Sequence, residues 1–291
     1  MKKIFLIASI ALCFAACQKM SMNDGQDGKT DEIRFNIEHP NSGTRATSTA
    51  FVRDDAISLF AVENIDGQQA PLQKVGNFIN NEKLTYDGNN WNAAHSIYWS
   101  DKACDFYGFY PYQPKFLSIE YFPFSVELDQ NNGGFEKSDL MYACAKSVSR
   151  SDGSVNLKFN HMMTKLIVNL KKGDKFEGDI PDDVVAHVYN TTTSCVVDWS
   201  KGSVEKQSFG NKSTVTMKKL DNMSFEAILV PQNLEKKTPL VELTMGGIAY
   251  LLEYSLSLRA GCVHTITVTL NTSPDQEMIE ISIDPSQGGW N

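Results

Sequence analysis

The sequence is poor in the residues that build catalytic and metal centres. Its 291 residues hold five histidines, His39, His95, His161, His187 and His264, widely scattered along the chain. None of its six cysteines forms a C-x-x-C pair, which removes the zinc-ribbon and thioredoxin-type patterns. G-x-S-x-G, H-E-x-x-H and P-loop motifs are absent. Basic residues number 27 against 35 acidic, for a net charge of -8, a balance that argues against nucleic-acid binding. Adjacent carboxylates such as Asp54–Asp55 and Asp182–Asp183 point to opposite faces of an extended chain, so their spacing does not make a glycosidase pair. No enzyme is expected, and no cofactor or metal is implied.

What the sequence does have begins at its amino terminus. "MKKIFLIASIALCFAAC" carries Lys2 and Lys3, then an apolar run of signal-peptide rather than membrane-spanning length. Ala15 and Ala16 supply the small side chains a signal peptidase needs, and Cys17 follows at once. That order is the bacterial lipoprotein pattern, with Cys17 as the lipidation site; Phe14 stands where Leu is usual. Residues 1–16 are therefore expected to be a lipoprotein signal peptide, and their removal takes the charge from -8 to -10. Residues 17–30, "CQKMSMNDGQDGKT", have the composition of a flexible tether.

Beyond the tether the chain reads as strands. In "EIRFNIEH", Ile33, Phe35 and Ile37 fall on one face of an extended segment, and Arg34, Asn36 and Glu38 on the other. "NSGTRATST" follows, an exposed loop by composition in which Arg45–Ala46 is a bond open to a trypsin-like protease. "DAISLFAVE" places Ile57, Leu59 and Ala61 on one face, and "PLVELTMGGIAYLLEYSLSL" reads as a hairpin turning at Gly246–Gly247. Short β-rich runs separated by Gly, Asn, Asp and Ser turns, without helical periodicity, predict a mainly β protein of sandwich architecture. The length suggests two sandwiches, 31–154 and 155–291, divided where "SRSDGS" interrupts the pattern. His161 and His264 share strand faces with apolar residues and read as structural. Cys104, Cys144, Cys195 and Cys262 read as buried free thiols. Trp91 and Trp99 are candidate platforms for sugar rings, although strand aromatics in sandwiches more often fill cores.

The chain resembles the fimbrillin family, the lipoprotein precursors of type V pili, in the order of several pieces over nearly its whole length. These are Cys17, "TRAT" with Arg45, "DAISLFA", "YDGNNWNAAHSIYWSDKACDFYGFYPY", "SDLMYA", "VNLKFNHMMTKLIVNL", "ILVPQNL", "RAGCVHTITVTL" and "ISIDPSQGGW". His264 departs from the family, which usually has Tyr there. The resemblance implies two tandem transthyretin-like β-sandwich domains, export as a lipoprotein anchored by Cys17 in the outer membrane, and a fimbrial role in cell adhesion. It also implies a mechanism: cleavage at Arg45 releases the strand carrying Ile33, Phe35 and Ile37, and a carboxy-terminal strand of another subunit fills the groove. Ile279, Ile281 and Ile283 alternate as such a donor strand would. The expected partners are other fimbrial subunits, the membrane, and host or bacterial surface ligands. A non-polymerising lipoprotein, either a pilus anchor or a glycan-binding module, is the alternative.

Overall fold

Burial falls with period two along most of the chain, and the backbone follows it into strands. The computed structural model describes residues 31–40, 50–65, 67–221, 223–235, 239–272 and 281–290. Strands β1 (Phe35–Glu38), β2 (Ala56–Ile65), β3 (Gln68–Gln69), β4 (Ile79–Tyr86) and β5 (Trp91–Ala93) come first. Next are β6 (Cys104–Tyr110), β7 (Phe122–Ser125), the short helix α1 (Gly134–Ser138), β8 (Met141–Val148), β9 (Val155–Lys158) and β10 (Asn160–His161). The second half opens with β11 (Thr164–Lys175), β12 (Val185–Thr192), β13 (Ser194–Asp198), β14 (Ser203–Lys206), β15 (Lys212–Thr216) and β16 (Lys218–Asp221). It closes with β17 (Ser224–Leu229), β18 (Gln232–Leu234), β19 (Pro239–Met245), β20 (Ile248–Glu253), β21 (Leu256–Leu258), β22 (Cys262–Thr272) and β23 (Ile281–Gly289). The protein is mainly β, as expected. Among the described residues no helix is long and apolar enough to cross a membrane.

A seven-stranded sheet runs β10-β8-β6-β2-β4-β5, with β3 attached to β2, and it is covered on both faces. Ile57, Leu59 and Ala61 of β2 share one face, as the sequence pattern requires. They join Phe106, Met141, Val155, Leu157 and Phe159 in an outer core beneath the two-stranded ladder β1-β9. Phe60 and Val62 point the other way, with Tyr107 and Phe109, into a larger core shared with the second half of the chain. Burial on both faces explains why "CDFYGFY" is apolar almost throughout rather than alternating. Gly108 is needed here, because a Cβ would stand 2.7 Å from the Phe159 ring.

The second half contributes a five-stranded sheet, β16-β17-β11-β22-β23, and a four-stranded one, β15-β12-β19-β20. Leu166, Val168, Ile266, Val188, Val241 and Leu243 lie between them in the larger core. The β19–β20 hairpin turns at Gly246 and Gly247 with φ of 57° and 75°, the left-handed geometry of a type I′ turn. Strand β13 pairs with β7 from the first half. Residues 155–161, on the far side of the "SRSDGS" punctuation, likewise return to the first half: β9 pairs with β1 and β10 with β8.

Trp199 joins the halves: its backbone N–H donates to the Ile119 carbonyl at 2.9 Å, and its side chain acts through packing. It is fully buried, stacks on Phe109 with ring centroids 4.6 Å apart, and its indole N–H has no hydrogen-bond partner. Trp199→Ala is expected to cost about 3–5 kcal/mol, the usual loss for truncating a buried Trp. Chemical denaturation would measure it, and a loss under about 1 kcal/mol would show that this contact does not hold the larger core together.

Candidate functional site

Strand β1 is loosely built. Its side chains obey the expected alternation: Ile33 is buried, Phe35 and Ile37 half-buried, and Arg34, Asn36 and Glu38 exposed. Phe35 meets the Phe106 ring edge-on at 6.2 Å. Each apolar residue contributes up to about 1.5–3 kcal/mol if fully removed from water, and less for the two half-buried ones. One backbone edge pairs in parallel with β9, from Phe35↔Val155 to Glu38↔Lys158. The ladder is extended by Val155 N–H donating to the Arg34 carbonyl at 2.8 Å and Phe159 N–H to the Glu38 carbonyl at 3.0 Å. Asn36 adds a side-chain hydrogen bond to Asn156 at 2.8 Å.

The other edge of β1 is barely used. Ile33 N–H donates to the Ile97 carbonyl at 2.7 Å and Glu32 bridges to Tyr98, but no ladder continues from Phe35 onward. The strand and residues 89–97 diverge there, leaving a groove of ≈ 800 Å³ lined by β1 together with Phe51, Tyr86, Trp91 and His95. Strand β9 has no strand partner other than β1 among the described residues. Loss of β1 would therefore leave β9 with two unpaired edges, with Val155, Leu157 and Phe106 beneath it.

The structure brings Trp91 to this groove but not Trp99. Both are half-buried and packed against the outer core. Trp91 meets Phe51 edge-on at 4.9 Å and lies tilted against Tyr86 at 5.2 Å, while Trp99 meets Phe106 at 6.4 Å. Core packing thus accounts for much of both rings. Cys17, Arg45, Ala46 and Ile279 lie outside the described residues. Ile281 and Ile283 belong to β23, which pairs antiparallel with β22 of its own chain, Ile281 opposite Leu270 and Ile283 opposite Val268. The four cysteines of the folded region are free, and burial pushes the Cys104 thiol up to about 11 and Cys195 up to about 12. Such thiols are poor nucleophiles.

Periodicity did not disclose a buried polar cluster at the end of β1. His39 faces His161 at a ring separation of 5.6 Å and Phe51 at 5.0 Å. His161 Nδ1 lies 2.9 Å from Asp139, and its ring stacks on Trp290 at 3.7 Å, only 9° from parallel. Deeper still, Lys165 and Glu226 form an ion pair at 2.9 Å with both side chains 1% exposed. The lone aromatic of "GGW", next to last in the sequence, was the available signal for Trp290. His264 is buried and accepts the Arg259 N–H at 3.4 Å, a structural position as expected.

Burial pushes His39 down to about 4, His161 adds to the shift, and Asp139 opposes it. Asp55 and Glu136 also line the small cavity beside His39, and burial raises Asp55. Because the folded value lies below the ordinary histidine value of about 6.5, release of β1 takes up a proton in acid. The hold on β1 is complete above about pH 6.5 and weakens as pH falls toward 4. Hydrogen exchange, corrected for intrinsic rates, is expected to show weaker protection of Phe35–Glu38 at pH 5 than at pH 7, with the difference reduced in His39→Asn. Equal protection at both values would contradict this assignment.

The profile of a family described as fimbrillin-like matches residues 44–285. The fold is similar to that of a candidate cell adhesion protein from Bacteroides uniformis, at 20% identity and a TM-score of 0.68, over 90% of this chain and 100% of that one. A candidate cell adhesion protein from Bacteroides ovatus is similar at 18% identity and a TM-score of 0.66, over 89% and 97% of the two chains. The tip fimbrial protein Mfa3 from Porphyromonas gingivalis, with a carboxy-terminal truncation, is similar at 11% identity and a TM-score of 0.50, over 89% and 100%. At these identities the likeness is one of fold. None of the curated proteins matches the chain.

Proposed function

Because the chain belongs to the fimbrillin-like family, we propose that it is a fimbrial subunit, exported as a lipoprotein, assembled by strand exchange and serving cell adhesion. The observation that carries this reading is the state of β1. It is a short alternating strand, the sole ladder partner of β9 among the described residues, with an open far edge, and it lies just before the "NSGTRATST" segment. A cut after Arg45 separates β1 from the body of the domain. The vacated groove then offers unpaired backbone groups and apolar positions at alternate sites, which is what β-augmentation requires.

The donor in this reading is the segment carrying Ile279, Ile281 and Ile283 of a second copy or a related subunit. In the monomer part of that segment belongs to β23, an edge strand. Pro285 is tolerated there because an edge strand needs fewer ladder donors. Donation means peeling β23 from β22 before it pairs elsewhere. Lipid on Cys17 holds the precursor in the outer membrane, and cleavage at Arg45–Ala46 releases the remainder from that anchor into the fimbrium. The fold is read as two transthyretin-like sandwiches, 31–154 and 155–291, joined by the pairing of β9 and β10 with β1 and β8.

A glycan-binding lipoprotein is the second reading, favoured by the place of Trp91 and Tyr86 on the groove. It requires saturable glycan binding that is lost in Trp91→Ala.

Intact mass and peptide mapping of the protein from the native cell surface test the first reading. The expected chain begins at Ala46 without lipid, and deletion of 279–291 abolishes polymers while leaving the fold soluble. A surface protein beginning only at acylated Cys17 would contradict processing and favour an anchor or a glycan-binding lipoprotein.

A further inference from the structure

Strands β1 and β23 lie in different sheets, yet one buried side chain touches the ends of both. His161 packs against His39, which immediately follows β1, and stacks on Trp290, which immediately follows β23. Asp139 fixes the imidazole at 2.9 Å. Backbone contacts strengthen the link, since Phe159, two residues before His161, donates its N–H to the Glu38 carbonyl at 3.0 Å. Departure of β1 with His39 removes that acceptor, the ladder of β9 and the ring that covers one edge of His161.

The hold on the other strand is equally concentrated. Residues 284–289 of β23 are all exposed, whereas Trp290 is 4% exposed. Over residues 284–290 the segment is held by its backbone ladder to β22, by a hydrogen bond from Gln287 Nε2 to Cys262 Sγ at 3.6 Å, and by the Trp290 plug. The backbone N–H of Trp290 donates to the Gly261 carbonyl at 2.9 Å. A stretch of edge strand with exposed side chains, as at 284–289, frays once its terminal anchor loosens. Beneath the plug, Lys165 Nζ lies 5.8 Å from the Trp290 ring centroid and is paired to buried Glu226. Water entering the socket re-solvates that ion pair and offsets part of the cost of removing the indole.

We propose that His161 is a latch coupling the two strands, so that loss of β1 loosens Trp290 and frees β23. Groove and donor strand then become available together, and an uncut subunit keeps both closed. The proposal rests on the strand-exchange reading for its purpose, but the coupling belongs to the monomer. Coupling free energies are reciprocal, so loosening Trp290 must also loosen β1.

Hydrogen exchange on the full chain tests both directions. Cutting within residues 41–49, with loss of β1, is expected to raise exchange across 284–290 by about tenfold or more. In the uncut chain Trp290→Ala is expected to raise exchange across Phe35–Glu38 by a similar factor, while the distant β19–β20 hairpin is unchanged. Unchanged exchange at 284–290 after β1 has left, or at β1 in Trp290→Ala, overturns the latch whether or not the protein polymerises. Coupling without polymers sustains the latch and overturns strand exchange alone.

Discussion

The parallel ladder between β1 and β9 is the constraint on which the outer core depends. Four residues on each side make it, from Phe35↔Val155 to Glu38↔Lys158. No other strand among the described residues pairs with β9. A short ladder is a weak element in isolation, and most of its stability comes from the apolar face it presses onto the seven-stranded sheet. In the proposed strand exchange, the same brevity makes it replaceable: an incoming extended segment with apolar residues at alternate positions would satisfy the backbone of β9 and cover Val155, Leu157 and Phe106.

The rest of the molecule gives that weak element a firm seat. The seven-stranded sheet is covered on both faces, so its position is fixed by the larger core even if the outer cover is lost. Trp199, Phe109 and Tyr107 belong to that larger core, and they lie on the side away from β1. The buried Lys165–Glu226 pair and the His39–His161–Trp290 stack sit where the two halves meet the strand ends. Polar groups buried this deeply demand defined partners, because an unpaired one is costly. They restrict how the ends of β1 and β23 can be arranged, whereas the apolar faces only require burial.

The strand faces were legible in the sequence because period two is a local property. The alternation of Ile33, Phe35 and Ile37, the inward set Ile57, Leu59 and Ala61, the Gly246–Gly247 turn and the structural place of His161 and His264 all follow from neighbours a few residues apart. Strand partners were not legible. Asn36 and Asn156, hydrogen-bonded side by side, are 120 residues apart in sequence, and periodicity carries no information about such pairings. For the same reason the punctuation at 149–154 reads as a boundary, although the strands just after it return to the first half. Trp91 and Trp99 show that an aromatic suited to a sugar ring and one suited to a core are the same residue until their neighbours are known. The His161 stack was not legible because its three rings come from three distant parts of the chain.

Amide exchange of Val155–Lys158 reports whether β1 can be replaced. The measurement uses chain from which β1 has been released, with and without a synthetic peptide of residues 279–291. These amides are expected to lose protection when β1 leaves and to regain it when the peptide is added. Protection that survives the loss of β1, or that fails to return with the peptide, would contradict replacement of β1.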